Sequence, residues 1–309
     1  LFRSGVTTDE AKRYASLDGN ELNMLFQFEH VGYDGNSNAA LGQFSGYKPT
    51  LHDIRKSLVK WQKAFAGSAW TSLYWSNHDQ PRAVSWFGNK APEFRDLSAK
   101  MLAALLHFMQ GTPYIYQGEE LGMTNNDNFQ DISQYRDVEA INLYRTTVLE
   151  KGLATSNDML DYLRVHSRDN ARTPMQWGNQ LYAGFSAHKP WLEVNPNYKT
   201  INAEAALENQ NSIFYFYQQL IALRHKLPVI TNGRFDLVAN NETDDHIFAY
   251  TRQNSDMVLL IIANFTDKTV NRHFDLPKHY KCLIQNYHDD LLDIIRPYEV
   301  KVYQYAPNA

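Results

Sequence analysis

Three short apolar runs, each closed by a polar cluster and separated by helical patterns, constrain this chain most. The runs are Asn23 to Phe28, Trp70 to Trp75 and Thr112 to Tyr116. The clusters behind them are Glu29-His30, Asn77-His78-Asp79 and Gln117-Gly118-Glu119-Glu120. Between the first two, Leu51, Ile54, Leu58, Trp61 and Phe65 recur at helical spacing. Between the last two, Phe94 to Met109 does the same, with Met101, Leu102, Leu105 and Met109 on one side. Strands apolar on both faces suit a parallel sheet covered by helices. A (β/α)8 barrel and a doubly wound sheet both place ligands beyond their strand ends. The pattern therefore locates a site without choosing between the two folds.

Thr7-Thr8-Asp9-Glu10 reads as a capped helix start. From about Leu121 to Asn209 the chain is polar and irregular, with short helices expected at 134–149 and 157–165. A stretch of that length exceeds a simple connection and reads as a functional elaboration. Ser212 to Lys226 is a helix pattern stopped by Leu227-Pro228. After Gly233 the period changes to two, giving strands at 234–238, 247–252, 257–265 and 300–305. These predict a small antiparallel β-sandwich. The expected division is 1–228 for an α/β unit and 229–309 for an all-β unit.

The 309 residues carry a formal charge of −4, so no basic excess points to nucleic acid. No apolar run is long enough to span a membrane. The single cysteine, Cys282, excludes an intrachain disulfide and fits a reducing, cytoplasmic setting. There is no Gly-rich phosphate cradle, His-Glu-x-x-His motif, cysteine cluster or Gly-x-Ser-x-Gly elbow. No cofactor or metal is expected. Leu1-Phe2-Arg3-Ser4 is neither an initiator methionine nor a signal peptide, which suggests that the chain begins inside a longer unit.

Asp79, at a strand end, suits a carboxylate that steadies positive charge on a sugar or grips two ring hydroxyls, with His78 on another hydroxyl. It equally suits a cap for the next helix. Arg82 reads as structural, paired with buried carboxylates. Glu119 and Glu120 are adjacent, whereas glycosidase carboxylates flank a bond from opposite sides, ~5–5.5 Å or ~6.5–9.5 Å apart. A structural role suits them better. Arg172, in Ser167 to Trp177, reaches either a sugar hydroxyl or a catalytic carboxylate, or simply faces water. Glu29 is a further candidate for lining the pocket.

Together, Phe26 to His30, Trp75 to Arg82, Gln110 to Asn125, Tyr135 to Glu139, Ser167 to Trp177 and Pro190 to Tyr198 resemble the α-amylase clan. The likeness is to its oligo-1,6-glucosidase and dextran glucosidase branch, with trehalose-6-phosphate hydrolase as near kin. The resemblance implies strands six to eight of a (β/α)8 barrel followed by the β domain. It makes Asp79 the transition-state-stabilising carboxylate. It places His78 and Arg172 on the sugar at the cleaved end, with Arg168 a weaker choice for the arginine. Asp137 and Glu139 fall on the acceptor side. The substrate implied is an α-glucan oligosaccharide.

The family's nucleophilic Asp and acid/base Glu fall before Gly5-Val6-Thr7-Thr8, which resembles the stretch after that Glu. The resemblance therefore implies a chain inactive alone, whose partner is the missing upstream half. Trehalose-6-phosphate hydrolysis and a non-catalytic, sugar- or partner-binding relative are the rival readings.

Overall fold

A computed structural model describes residues 6–19, 21–31 and 48–307. Leu1-Phe2-Arg3-Ser4 and Gly5 lie outside the described residues. Helix α1 (Thr8–Ala15) opens on a capping box: Thr7 accepts from the Glu10 amide and Glu10 accepts in return from Thr7. Helix α2 (Leu51–Phe65) starts the same way, with Thr50 and Asp53 reciprocally bonded.

The first apolar run forms only a bridge, Leu25 parallel to Thr71. Strand β1 (Ser72–Leu73) follows, then α3 (Ala83–Trp86), α4 (Pro92–His107) and strand β2 (Thr112–Pro113). β1 and β2 pair in parallel, Ser72 to Thr112 and Leu73 to Pro113. Three parallel segments thus lie side by side, with α2 and α4 as the crossovers. The ladders are shorter than the apolar runs. Pro113 has no N–H to donate, although Tyr114 still bonds the Leu73 carbonyl at 2.7 Å.

The long polar stretch contains α5 (Val138–Tyr144), α6 (Ser156–His166), α7 (Asp169–Arg172) and α8 (Ala203–Glu208). The helix expected from residue 134 begins later because Asp137 caps it, accepting from the Glu139 amide at 3.1 Å. It ends in π-helical turns over Arg145–Glu150. Helix α9 (Ile213–Lys226) precedes the short α10 (Val229–Asn232).

The remainder is antiparallel: β3 (Arg234–Leu237), β4 (Ile247–Gln253), β5 (Val258–Asn264), β6 (Val270–Asn271), β7 (Tyr280–Gln285), β8 (Ile294–Ile295) and β9 (Val300–Tyr305). Five of these make one sheet in the order β3-β4-β5-β9-β7, while β6 and β8 form a separate ribbon. The expected sandwich of two comparable sheets is therefore one sheet and a two-residue ribbon. Val270, Phe274 and Ile295, on or beside the ribbon, pack with Ile247, Leu260, Ile262 and Tyr303 on one face. The other face needs no second sheet, because it packs against α4. Leu102, Leu105, Phe248, Tyr250, Ile261 and Val302 share one apolar core with Trp75 of the β1 end. Tyr250 is fully buried and donates its hydroxyl to the Leu105 carbonyl at 2.6 Å. Among the described residues, no helix is long and apolar enough to cross a membrane.

Candidate active site

The loop after β1 turns sharply. The Asn77 side chain accepts from the Asp79 amide at 2.7 Å, and the Gln80 amide bonds the Asn77 carbonyl at 3.2 Å. This Asx turn presents the Asp79 carboxylate, whose side chain is 18% exposed, beside a His78 ring that is 70% exposed. His78 Nε2 lies 3.4 Å from Asp79 Oδ2. Behind the loop, the strand end is dry: Tyr74, Trp75 and Ser76 are buried.

Two arginines one helical turn apart meet this carboxylate. Arg172 donates from Nη2 to Asp79 Oδ1 at 2.8 Å and from Nε to the His78 carbonyl at 2.9 Å. Arg168 Nη1 lies 3.6 Å from the same Oδ1. Arg168 also grips Asp137 with two bonds, Nε to Oδ2 at 3.0 Å and Nη2 to Oδ1 at 2.5 Å. Its Nη2 lies 3.3 Å from Glu139 Oε1. The Asp137 side chain is fully buried and Glu139 is 46% exposed. Hydrogen bonding to Asp137 holds the Arg168 guanidinium well above its usual range, firmly charged.

Asp169 anchors this network from beneath. Its Oδ2 accepts from the Arg136 amide at 2.8 Å and the Asp137 amide at 2.9 Å. Burial pushes its carboxyl up. The result is a half-open cluster of Asp79, His78, Arg172, Arg168, Asp137 and Glu139. A carboxylate held between guanidiniums and partly open to solvent is fixed in orientation. It can accept sugar hydroxyls or face a developing cation.

Glu29 is engaged elsewhere, by Lys60 Nζ at 2.6 Å and by the Ser57 hydroxyl at 3.4 Å, both on α2. His30 is buried. Its Nε2 lies 2.7 Å from the Tyr74 carbonyl and its Nδ1 2.7 Å from Gln27 Nε2, which fits a neutral ring with the proton on Nε2. Burial lowers its pKa to about 4, so the ring braces the end of β1 without charge.

Arg82 departs from expectation. It bonds the carbonyls of Gln117 at 2.6 Å and Asn170 at 3.1 Å and the Thr173 hydroxyl at 3.3 Å, and among the described residues no carboxylate is in hydrogen-bond contact with it. Burial brings its pKa down to about 10. Glu120 turns back to accept from the Gly118 amide at 2.9 Å. Glu119 faces the interior, where the Ser76 amide donates to Oε1 at 3.1 Å, the Ser76 hydroxyl donates to the same oxygen and Tyr217 donates to Oε2 at 3.4 Å.

Residues 3–233 match the family described as Alpha amylase, catalytic domain. The chain belongs to the alpha-amylase family. This alpha-amylase catalytic domain has the TIM-barrel fold, accompanied by the antiparallel sheet. A protein of Bacillus cereus named oligo-1,6-glucosidase is 45% identical over 97% of this chain and 54% of its own length. An alpha-glucosidase of Pediococcus pentosaceus is 46% identical over 98% of this chain and 54% of its own length. The crystal structure of Bacillus licheniformis trehalose-6-phosphate hydrolase matches with a TM-score of 0.89 at 41% identity, covering 98% of this chain and 55% of that one. The chain spans about half the length of these relatives.

Within this alpha-amylase site, the central place of Arg168 outruns the sequence reading, which favoured Arg172. The signal was the four-residue spacing, which sets both guanidiniums on one side of a helical turn. The anchoring of Ser76 by Glu119 left no local signal, since the two residues lie 43 positions apart.

Proposed function

We propose that this site serves a retaining α-glucosidase acting on α-1,6 bonds of short isomalto-oligosaccharides, with α-1,4 bonds as the alternative linkage. Asp79 is the carboxylate that stabilises the oxocarbenium-like transition state. The observation that carries the reading is the Asp79 carboxylate at a barrel strand end, held by Arg172 at 2.8 Å with His78 beside it. His78 and Arg172 hold the glucose ring at the cleaved end; Asp137, Glu139 and Arg168 border the acceptor side. Retaining hydrolysis needs a nucleophile and an acid/base beyond Asp79. In this proposal they come from the part of the relatives' length that the chain does not span, and the chain alone is inactive. The division at 228/229 and a cytoplasmic setting belong to the same proposal.

The test is turnover of isomaltose by the chain alone and after mixing with the upstream half of a relative, with the anomer of released glucose followed by NMR. Activity only in the mixture, with α-glucose released first, is expected. Binding without turnover in the mixture overturns the enzyme reading. The likeness to trehalose-6-phosphate hydrolase favours a second reading, hydrolysis of trehalose 6-phosphate. Higher kcat/KM on that substrate than on isomaltose would select it.

A further inference from the structure

Glu119 is 7% exposed and sits just beyond β2, yet its carboxyl reaches across to the end of β1. It takes both donors of Ser76, the amide at 3.1 Å and the hydroxyl. Ser76 precedes Asn77, whose side chain forms the turn that presents Asp79. The other end of the same loop is fixed by Arg82. Its side chain bonds the Gln117 carbonyl at 2.6 Å and its amide bonds the Asn125 side chain at 2.9 Å. The loop is thus held from both ends by the segment after β2, with Asp79 midway. Only the Ser76 end uses an ionisable acceptor.

We propose that Glu119 is the positioning residue of Asp79: by holding Ser76 it fixes the turn that aims the carboxylate. The inference rests on the reading of Asp79 given above. The surroundings define the form in which Glu119 acts. Trp75, Val84, Leu102, Met123 and Tyr217 wall its cavity. Among the described residues no cationic group pairs with it. The nearby charged and titratable groups are Arg82 from the β1 loop, Glu120 from its own turn and Tyr217 from α9. Arg82 spends its donors on carbonyls and a hydroxyl, and Glu120 repels a second negative charge. An unpaired carboxylate in such a place gives up its charge. Burial raises the Glu119 pKa to about 8, which agrees. Glu119 therefore works as a neutral acid. Its Oε1 remains the acceptor for Ser76, while the proton sits on Oε2 and turns the 3.4 Å bond with Tyr217 round, so that Glu119 donates to the phenol oxygen. Glutamine, which keeps an oxygen for Ser76, is the variant that mimics it.

Two measurements test this. The first is amide hydrogen exchange on the 309-residue chain, which needs no turnover. Glu119→Leu is expected to speed exchange at Ser76 and Asp79 by about tenfold or more, with α4 unchanged, and Glu119→Gln to restore protection. Unchanged exchange in Glu119→Leu overturns the proposal, as does loss of protection in Glu119→Gln equal to that in Glu119→Leu. Should Glu119→Leu not fold, Ser76→Ala removes the hydroxyl donor alone; faster exchange at Asp79 is expected and no change overturns the idea.

The second is steady-state kinetics on the reconstituted enzyme. Glu119→Leu is expected to lower kcat about tenfold or more with KM little changed, and Glu119→Gln to rescue it. Equal kcat in all three proteins overturns the proposal. If the unmutated mixture binds isomaltose without turning it over, the hydrolase reading fails, and the exchange measurement alone decides the role of Glu119.

Discussion

Arg172 holds Asp79 by two routes at once, through its carboxylate at 2.8 Å and through the neighbouring His78 carbonyl at 2.9 Å. One guanidinium therefore sets both the charge environment of the carboxylate and the path of the backbone that carries it. A lysine has no planar fork and can serve only one of these acceptors well. Arg172→Lys in the reconstituted enzyme is expected to lower kcat/KM by about 10²-fold, equivalent to about 2.7 kcal/mol. Steady-state rates on isomaltose check this. A loss under threefold would separate Arg172 from the reaction.

Asp79→Asn removes the charge and keeps the shape. If the carboxylate faces a developing cation, kcat falls by about 10²–10³-fold or more. Asp79 is partly exposed, so the thermal midpoint moves little. Near-normal turnover would take Asp79 out of the mechanism.

Glu119 makes a prediction about pH whose sign is fixed. Its carboxyl titrates near 8 in the fold against an ordinary value of 4.5. Between those values the native state binds more protons than the unfolded state, so stability falls as pH rises through that window. The contribution is complete below pH 4.5 and lost above about 8. Glu119→Gln does not titrate. Its stability advantage is expected to grow from pH 4.5 to 8, towards an upper bound of about 5 kcal/mol. Urea melts at both ends of the window check this. Parallel pH profiles for the two proteins would refute it.

Gly118 has φ +92°, a region that side chains rarely adopt. A Cβ there would collide with the Met123 sulfur and lie 3.0 Å from Arg82 Nη1. The methionine can swing aside, but Arg82 is fixed by its carbonyls. Gly118→Ala is expected to destabilise the chain by about 2 kcal/mol. Denaturant midpoints of the two chains give the value.

The sequence was most readable where structure is local. Helix α2 runs over Leu51–Phe65, as its periodicity dictates, because the capping box at Thr50 and Asp53 agrees with the apolar spacing. For the Asn77–Asp79 cluster the place beyond a strand was legible, but the turn closed by the Asn77 side chain on the Asp79 amide went unread. Strand β7 went unseen because it lies at the sheet edge, mostly half-buried or exposed, which blurs alternation. Within the site, Arg168 needed Asp137, 31 positions away, to acquire its place. Pairing across such distances leaves no periodicity to read. Glu29 shows the reverse: it was expected at a strand end, but the run before it makes only the Leu25 bridge, and Lys60 on the covering helix claims its carboxylate.

The bond from Tyr250 to the Leu105 carbonyl sets a limit on how the gene can be trimmed. Stopping translation after α10 would strip a phenol from the last turn of α4 and leave aliphatic side chains along that helix wet. Such a product should be insoluble, so expression trials that shorten this chain to its family-matched residues alone are expected to yield inclusion bodies.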